Sequence, residues 1–77
     1  MEFTINTTSP VHPYVQLADQ LRAGIRSGEI VDLLPSLTSL MEETGLAMGT
    51  VRRSIKILRD EGLVYTVPGR GTFVAGG

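Results

Sequence analysis

Between residues 14 and 26 the apolar side chains fall at Tyr14, Leu17, Ala18, Leu21 and Ile25, the spacing of one helical face. Asp19, Gln20, Arg22 and Arg26 lie mostly on the other. Pro13 suits the first helical position, where its missing N–H costs nothing. Gly28 is a fitting stop, and Arg26 suits the negative end of the helix dipole. A second stripe of Leu37, Leu40 and Met41 follows Ser36, whose hydroxyl can accept from free N–H groups at a helix start. Gly45 ends that stripe and Leu46 follows as a buried anchor. A third helix is predicted from about Met48 to Glu61, with Val51, Ile55 and Leu58 at i, i+4 and i+7 and Gly62 as its stop. Two β-rich runs, Leu63 to Val67 and Thr72 to Val74, flank Pro68-Gly69-Arg70-Gly71 and read as a hairpin. Pro68 and Gly69 suit the central positions of a type II turn. Upstream, Phe3-Thr4-Ile5 is a short alternation compatible with one added strand, and residues 29–35 form a connector. Tyr14 and Tyr65 are assigned to the core or its edge.

The elements define a small, mostly-α (α+β) domain spanning residues 1–77. Its 42% hydrophobic and 19% charged composition is that of a folded chain and not a disordered one. Absence of cysteine excludes a disulfide framework and thiolate metal sites. One histidine, His12, cannot build a metal centre, so neither metal nor cofactor is expected. No apolar run approaches the roughly 20 residues of a membrane span, and the N-terminus lacks the basic start and apolar stretch of a signal peptide. A cytoplasmic, non-membrane domain is the expectation. No nucleophile–base pair is visible. Gly69-Arg70-Gly71 lacks the lysine and following helix of a nucleotide loop. Glu42-Glu43 and Asp60-Glu61 read as helix-end acids with no pocket, so an enzyme is not expected.

Charge changes the picture. The net charge is −1, which alone argues against a polyanion partner. Yet residues 1–51 balance to −4 and residues 52–77 to +3, an asymmetry that points to a local polyanion-facing surface. The second and third helices are joined by little more than Thr44-Gly45-Leu46, the helix-turn-helix arrangement. In that motif the second helix enters the major groove with its N-terminal residues at the base edges. Here it carries Arg52, Arg53, Lys56 and Arg59. Arg52, Lys56 and Arg59 form a stripe away from Val51, Ile55 and Leu58, so one helix can pack and bind at once. Arginine offers a planar fork to guanine or phosphate. Thr50 can meet a phosphate or a thymine methyl, and Arg70 at the hairpin tip suits a narrow minor groove.

The ordered set Leu34-Pro35-Ser36, Leu40, Gly45-Leu46, Thr50-Val51-Arg52, Leu58, Glu61-Gly62-Leu63-Val64 and Gly69-Arg70-Gly71-Thr72-Phe73-Val74 resembles the DNA-binding half of the GntR family of bacterial transcription regulators. Pro13-Tyr14, Gln16, Leu21, Ile25 and Gly28-Glu29 match its first helix. The resemblance covers about residues 10–74, and the opening Phe3-Thr4-Ile5 with Ser9 and Pro13 is similar to the YtrA-type branch. It implies a winged helix-turn-helix that binds a double-stranded DNA operator. It also implies a homodimer on DNA in the full-length protein and a monomer for the isolated domain, with either an effector-binding domain lying outside residues 1–77 or a minimal regulator without a sensor.

This chain departs from the family pattern in places. Leu37-Thr38-Ser39 stands where the family has Glu-Arg-Glu, and Ala47-Met48-Gly49-Thr50 where it has Ser-Arg-x-Thr. The Pro-Gly usual before Leu34-Pro35-Ser36 is missing, and Met41 replaces a small residue. Two habitual arginine contacts are gone, so an operator unlike the family's common ones is expected. The candidate DNA-binding residues are Ser36, Thr38, Met48, Gly49, Thr50, Arg52, Arg53, Lys56, Arg59, Gly69, Arg70 and Gly71. Gly69 and Gly71 are better explained by turn chemistry than by backbone contact, Lys56 can instead pair with Asp60, and Met48 can equally pack on the second helix. A winged-helix module that binds protein instead of DNA is the second reading the residues leave open.

Overall fold

The computed structural model describes residues 1–76. Helices α1 (Pro13–Ser27), α2 (Leu37–Thr44) and α3 (Met48–Asp60) precede an antiparallel hairpin of β1 (Val64–Val67) and β2 (Gly71–Val74). Pro13 opens α1, and Gly28, at φ 86°, closes it. Ser36 Oγ caps α2 by accepting from the Ser39 N–H at 3.1 Å, and Gly45, at φ 74°, ends it. The predicted boundaries therefore hold to within a residue or two.

The core joins the predicted stripes. Leu17, Leu21, Leu40, Val51 and Leu58 are fully buried, with Phe3, Ile30, Leu34, Ile55 and Val64 close behind. Burying each such side chain is worth about 1.5–3 kcal/mol. Leu46, expected as a buried anchor, is only half-buried against this cluster.

α1 packs chiefly on α3, and two polar contacts fix how. Ser54, fully buried in the middle of α3, donates its hydroxyl to the Tyr14 carbonyl at 2.7 Å. At the other end Arg22 makes a two-pronged contact with Glu61, Nε to Oε1 at 2.8 Å and Nη2 to Oε2 at 2.6 Å. Its Nη1 also reaches Asp19 at 2.7 Å.

Three expectations are corrected. The N-terminal alternation does not form a strand. Its backbone pairs with side chains of α1. Gln20 accepts from the Thr4 N–H at 2.8 Å and donates to the Thr4 carbonyl at 2.7 Å. Gln16 does the same for Asn6, at 2.8 and 2.9 Å. Two glutamines one helical turn apart thus replace a partner strand for residues at i and i+2. Phe3, just before them, turns into the core, and Ile5, between them, packs partly against it. Second, the connector bridges to the sheet. Leu33 bridges Phe73, the Leu34 N–H donates to the Thr72 carbonyl at 2.9 Å, and the Val74 N–H to the Asp32 carbonyl at 2.7 Å. Third, Tyr65 is 49% exposed and stacks on its cross-strand partner Phe73 on the outside of the hairpin, with centroids 5.8 Å apart.

The Arg22 guanidinium holds the Glu61 carboxyl below the usual glutamate range. A depressed folded-state value contributes stability that is fully present above the unfolded value, about 4.3, and lost as pH falls through the lower folded one. Glu61→Gln should therefore reduce the fall in melting temperature of the 77-residue chain between about pH 5 and pH 3. Thermal melts followed by circular dichroism test this, and parallel declines for the two proteins would contradict it.

Candidate nucleic-acid interface

The outer face of α3 presents Arg52, Arg53, Lys56 and Arg59, all exposed. Each is held differently. Arg59 Nη1 donates to Thr66 Oγ1 on β1 at 3.2 Å, and that oxygen lies 3.5 Å from Thr72 Oγ1 on β2. Lys56 pairs with Asp60 at 2.7 Å, with both side chains more than 60% exposed. Such an exposed pair contributes about 0.3–0.5 kcal/mol, little enough for a better anion to displace it. The Arg53 guanidinium lies over the Tyr14 ring, 4.3 Å from its centroid. Among the described residues Arg52 has no carboxylate partner. With Arg59, Leu37, Ile55, Thr66 and Thr72 it borders a cleft of about 270 Å³.

An adjoining groove of about 390 Å³ runs between the start of α2, the middle of α3 and the hairpin. Ser36, Gly69, Arg70 and Gly71 all line it. The Arg70 N–H closes the turn on the Val67 carbonyl at 3.0 Å, with Gly69 at φ 76°, as the type II reading requires. Gly71, at φ 130°, has a second reason to be glycine: an added Cβ would lie 3.0 Å from Leu33 Cδ1. Both glycines are thus explained by the turn. Arg70 projects at the tip, exposed and without an ion-pair partner among the described residues.

The remaining candidates occupy two helix starts. Ser36 spends its oxygen as the α2 cap, and Thr38 is exposed one residue into the helix. Met48 is 44% exposed and does not pack into the core. Gly49 is exposed, and an added Cβ there would meet nothing within 4 Å. Thr50 is half-buried. The structure therefore gathers Ser36, Arg52, Arg59 and residues 69–71 around neighbouring clefts. Thr38, Met48, Gly49, Thr50, Arg53 and Lys56 lie outside the cleft linings.

Sequence reading passed over Ser54 and gave Tyr14 only a core role. Ser54 flanks the Val51-Ile55-Leu58 stripe, and a small polar residue there signalled a close, hydrogen-bonded approach of another backbone. Tyr14 is half-buried. It carries Arg53 on its ring and stacks on His12 at 5.6 Å. The acids need one correction too: Glu42 and Glu43, expected to face no pocket, rim an open hollow with Glu29. No group of three or more potential metal ligands occurs among the described residues, and no described helix is long and apolar enough to cross a membrane.

Comparison with known proteins gives this geometry its context. Residues 13–74 match the family described as bacterial regulatory proteins, gntR family. The HTH-type transcriptional repressor NagR of Bacillus subtilis is 42% identical over 73 residues, covering 92% of this chain and 30% of that protein. The mannosyl-D-glycerate transport/metabolism system repressor MngR of Escherichia coli is 35% identical over 63 residues, 79% of this chain and 26% of its own. This chain thus spans less than a third of the length of these curated relatives. Among solved structures, YtrA from Sulfolobus acidocaldarius, a GntR-family transcription factor, superposes with a TM-score of 0.87 at 32% identity, covering 100% of this chain and 83% of that one. The AraR DNA-binding domain in complex with operator ORX1 superposes at 0.83 and 29% identity, with 97% and 99% covered.

The start of α3 is open to improvement. Ala47 has extended dihedrals (φ −70°, ψ 157°), suited to a cap, but no side chain to make one. Ala47→Ser should raise stability by about 0.5–1 kcal/mol, read as a higher urea midpoint at unchanged slope. An unmoved midpoint would show that the Thr50 N–H is already satisfied by its 3.1 Å contact with the Ala47 carbonyl.

Proposed function

We propose that this chain, which belongs to the gntR family of bacterial regulatory proteins, reads its operator with residues 48–56 of α3 in the major groove and the hairpin on the adjacent minor groove. The chain is a winged-helix DNA-binding domain of that family. The observation that carries the finer reading is the outer face of α3. Arg52, Arg53 and Arg59 stand there free of carboxylates, while the opposite face is fully committed to the core.

Each candidate then has a role. Arg52, nearest the helix start and unpartnered, meets a base edge with its planar fork. Arg53, Lys56 and Arg59 meet phosphates, which fix register without reading sequence. Met48 and Thr50 offer apolar contact to a thymine methyl. Ser36 and Thr38, at the start of α2, lie beside the backbone of the same groove, and Arg70 reaches the minor groove flanked by Gly69 and Gly71. Gly49 has no packing reason to be glycine. Its bare backbone permits close approach to the base edges.

Residues 10–74 form the reading head of a longer cytoplasmic regulator, acting beside the nucleoid. Effector binding and dimerisation lie outside this segment, and repression follows from occupying a promoter. The repressors among its relatives support this reading.

NMR titration of the 77-residue chain with generic duplex at low and higher salt tests the face. Shifts should cluster at residues 36–38, 48–59 and 68–72 and fade as salt rises. No shifts at low salt would sink the DNA reading in favour of a protein partner. On an operator selected from random duplexes, Arg52→Ala should cost about 1–3 kcal/mol and relax one base preference. Unchanged affinity and preference would remove Arg52 from the base-reading set. Gly49→Ala should leave the fold as stable or stabilise it by up to about 1 kcal/mol, yet weaken operator binding. Equal binding would place the first turn of α3 away from the bases.

A further inference from the structure

We infer that Tyr14, at the start of α1, is a positioning residue for DNA binding: its ring holds Arg53 pre-aligned for a backbone phosphate of the duplex. This rests on the DNA face proposed above.

Arg53 differs from Lys56 and Arg59 on α3 in what it has spent. Lys56 is engaged by Asp60 and Arg59 by Thr66. Arg53 makes no side-chain hydrogen bond among the described residues, and its guanidinium lies over the Tyr14 ring, 4.3 Å from the centroid. A cation–π contact uses none of the guanidinium's N–H donors, which stay available to a phosphate. The contact therefore restrains a mobile side chain without consuming its donors. An arginine loses a large rotamer entropy on ordering, and the ring removes part of that loss in advance.

The ring is itself fixed. The Tyr14 carbonyl is held by the buried hydroxyl of Ser54, the residue next to Arg53, at 2.7 Å. The Tyr14 ring also stacks on His12, just before α1, with an interplanar angle of 16°. Neighbouring α3 residues thus grip the backbone and the ring of one α1 residue. The result extends the cationic surface from α3 to the first turn of α1.

The test uses fluorescence anisotropy of the 77-residue chain with a mixed-sequence duplex of about 20 base pairs, from about 50 to 200 mM salt. Arg53→Ala should weaken binding and lower the salt slope by about 0.9, one phosphate contact. Tyr14→Leu should weaken it about threefold, and Tyr14→Phe, which keeps the ring, should restore wild-type affinity. Adding Tyr14→Leu to Arg53→Ala should cost nothing more. Full affinity in Tyr14→Leu, or additive losses in the double variant, would overturn the positioning role while leaving the DNA face intact. A wild-type chain that fails to bind the duplex overturns both. Should Tyr14→Leu not fold, the wild-type chain still decides. The Arg53 side-chain protons should show an upfield ring-current shift both free and on the duplex, and loss of that shift on binding would overturn the proposal.

Discussion

A single buried hydroxyl sets much of this molecule. Ser54 is shut away from water in the middle of α3, and a buried donor without an acceptor is costly. The Thr50 carbonyl one turn back lies 3.3 Å away, but the short bond, 2.7 Å, goes to the Tyr14 carbonyl, 40 residues earlier in the chain, so α1 begins where that carbonyl can be reached. The fork between Arg22 and Glu61 then fixes the other end of the same contact. With α1 held at two points, the inner face of α3 has one orientation, and so has its outer face. The direction in which the arginines project follows from a polar contact on the opposite side of the helix. Hydrophobic burial alone, being non-directional, would not have specified it.

The division of labour within α3 explains why a chain of net charge −1 presents a cationic surface. Acidic residues are present, but they are engaged or remote. Glu61 is tied to Arg22, and Glu29, Glu42 and Glu43 gather around the hollow lined by Met1 and Val31. At physiological ionic strength the Debye length is about 8 Å, so a surface responds to its nearest charges and not to the sum over the molecule.

The helices were legible because their signals are local and redundant. Stripes at helical spacing, Pro13, Ser36, Gly28 and Gly45 all mark the same boundaries. The hairpin was legible from Pro68-Gly69 for the same reason. What the sequence did not disclose depends on contacts between distant segments. Asp32-Leu33-Leu34 is too short to read as a strand, and only the presence of β2 beside it gives it a bridge to the sheet. Phe3-Thr4-Ile5 does alternate as a strand would, but its partners are glutamine side chains on a helix, which no strand pattern foretells. The candidate interface divides in the same way. The cations of α3 follow from helical periodicity, whereas the engagement of Arg59 by Thr66 and of Arg53 by Tyr14 needs three dimensions. Tyr14 was assigned to packing because an aromatic residue at helical spacing most often is packing.

The pairing of residues 32–34 with β2 bears on the order in which the molecule assembles. A two-stranded hairpin is at best marginally stable alone in water, and β1 and β2 are four residues each. Their third partner is the segment that links α1 to α2, so closing that contact requires the chain to have already brought its middle and last thirds together. Long loops are closed late, after local helical contacts have reduced the entropy still to be lost. With little packing of its own, the wing is expected to become fixed late and to loosen early, while the helices beneath it persist. An element of that kind can shift without disturbing the packing of α1 on α3.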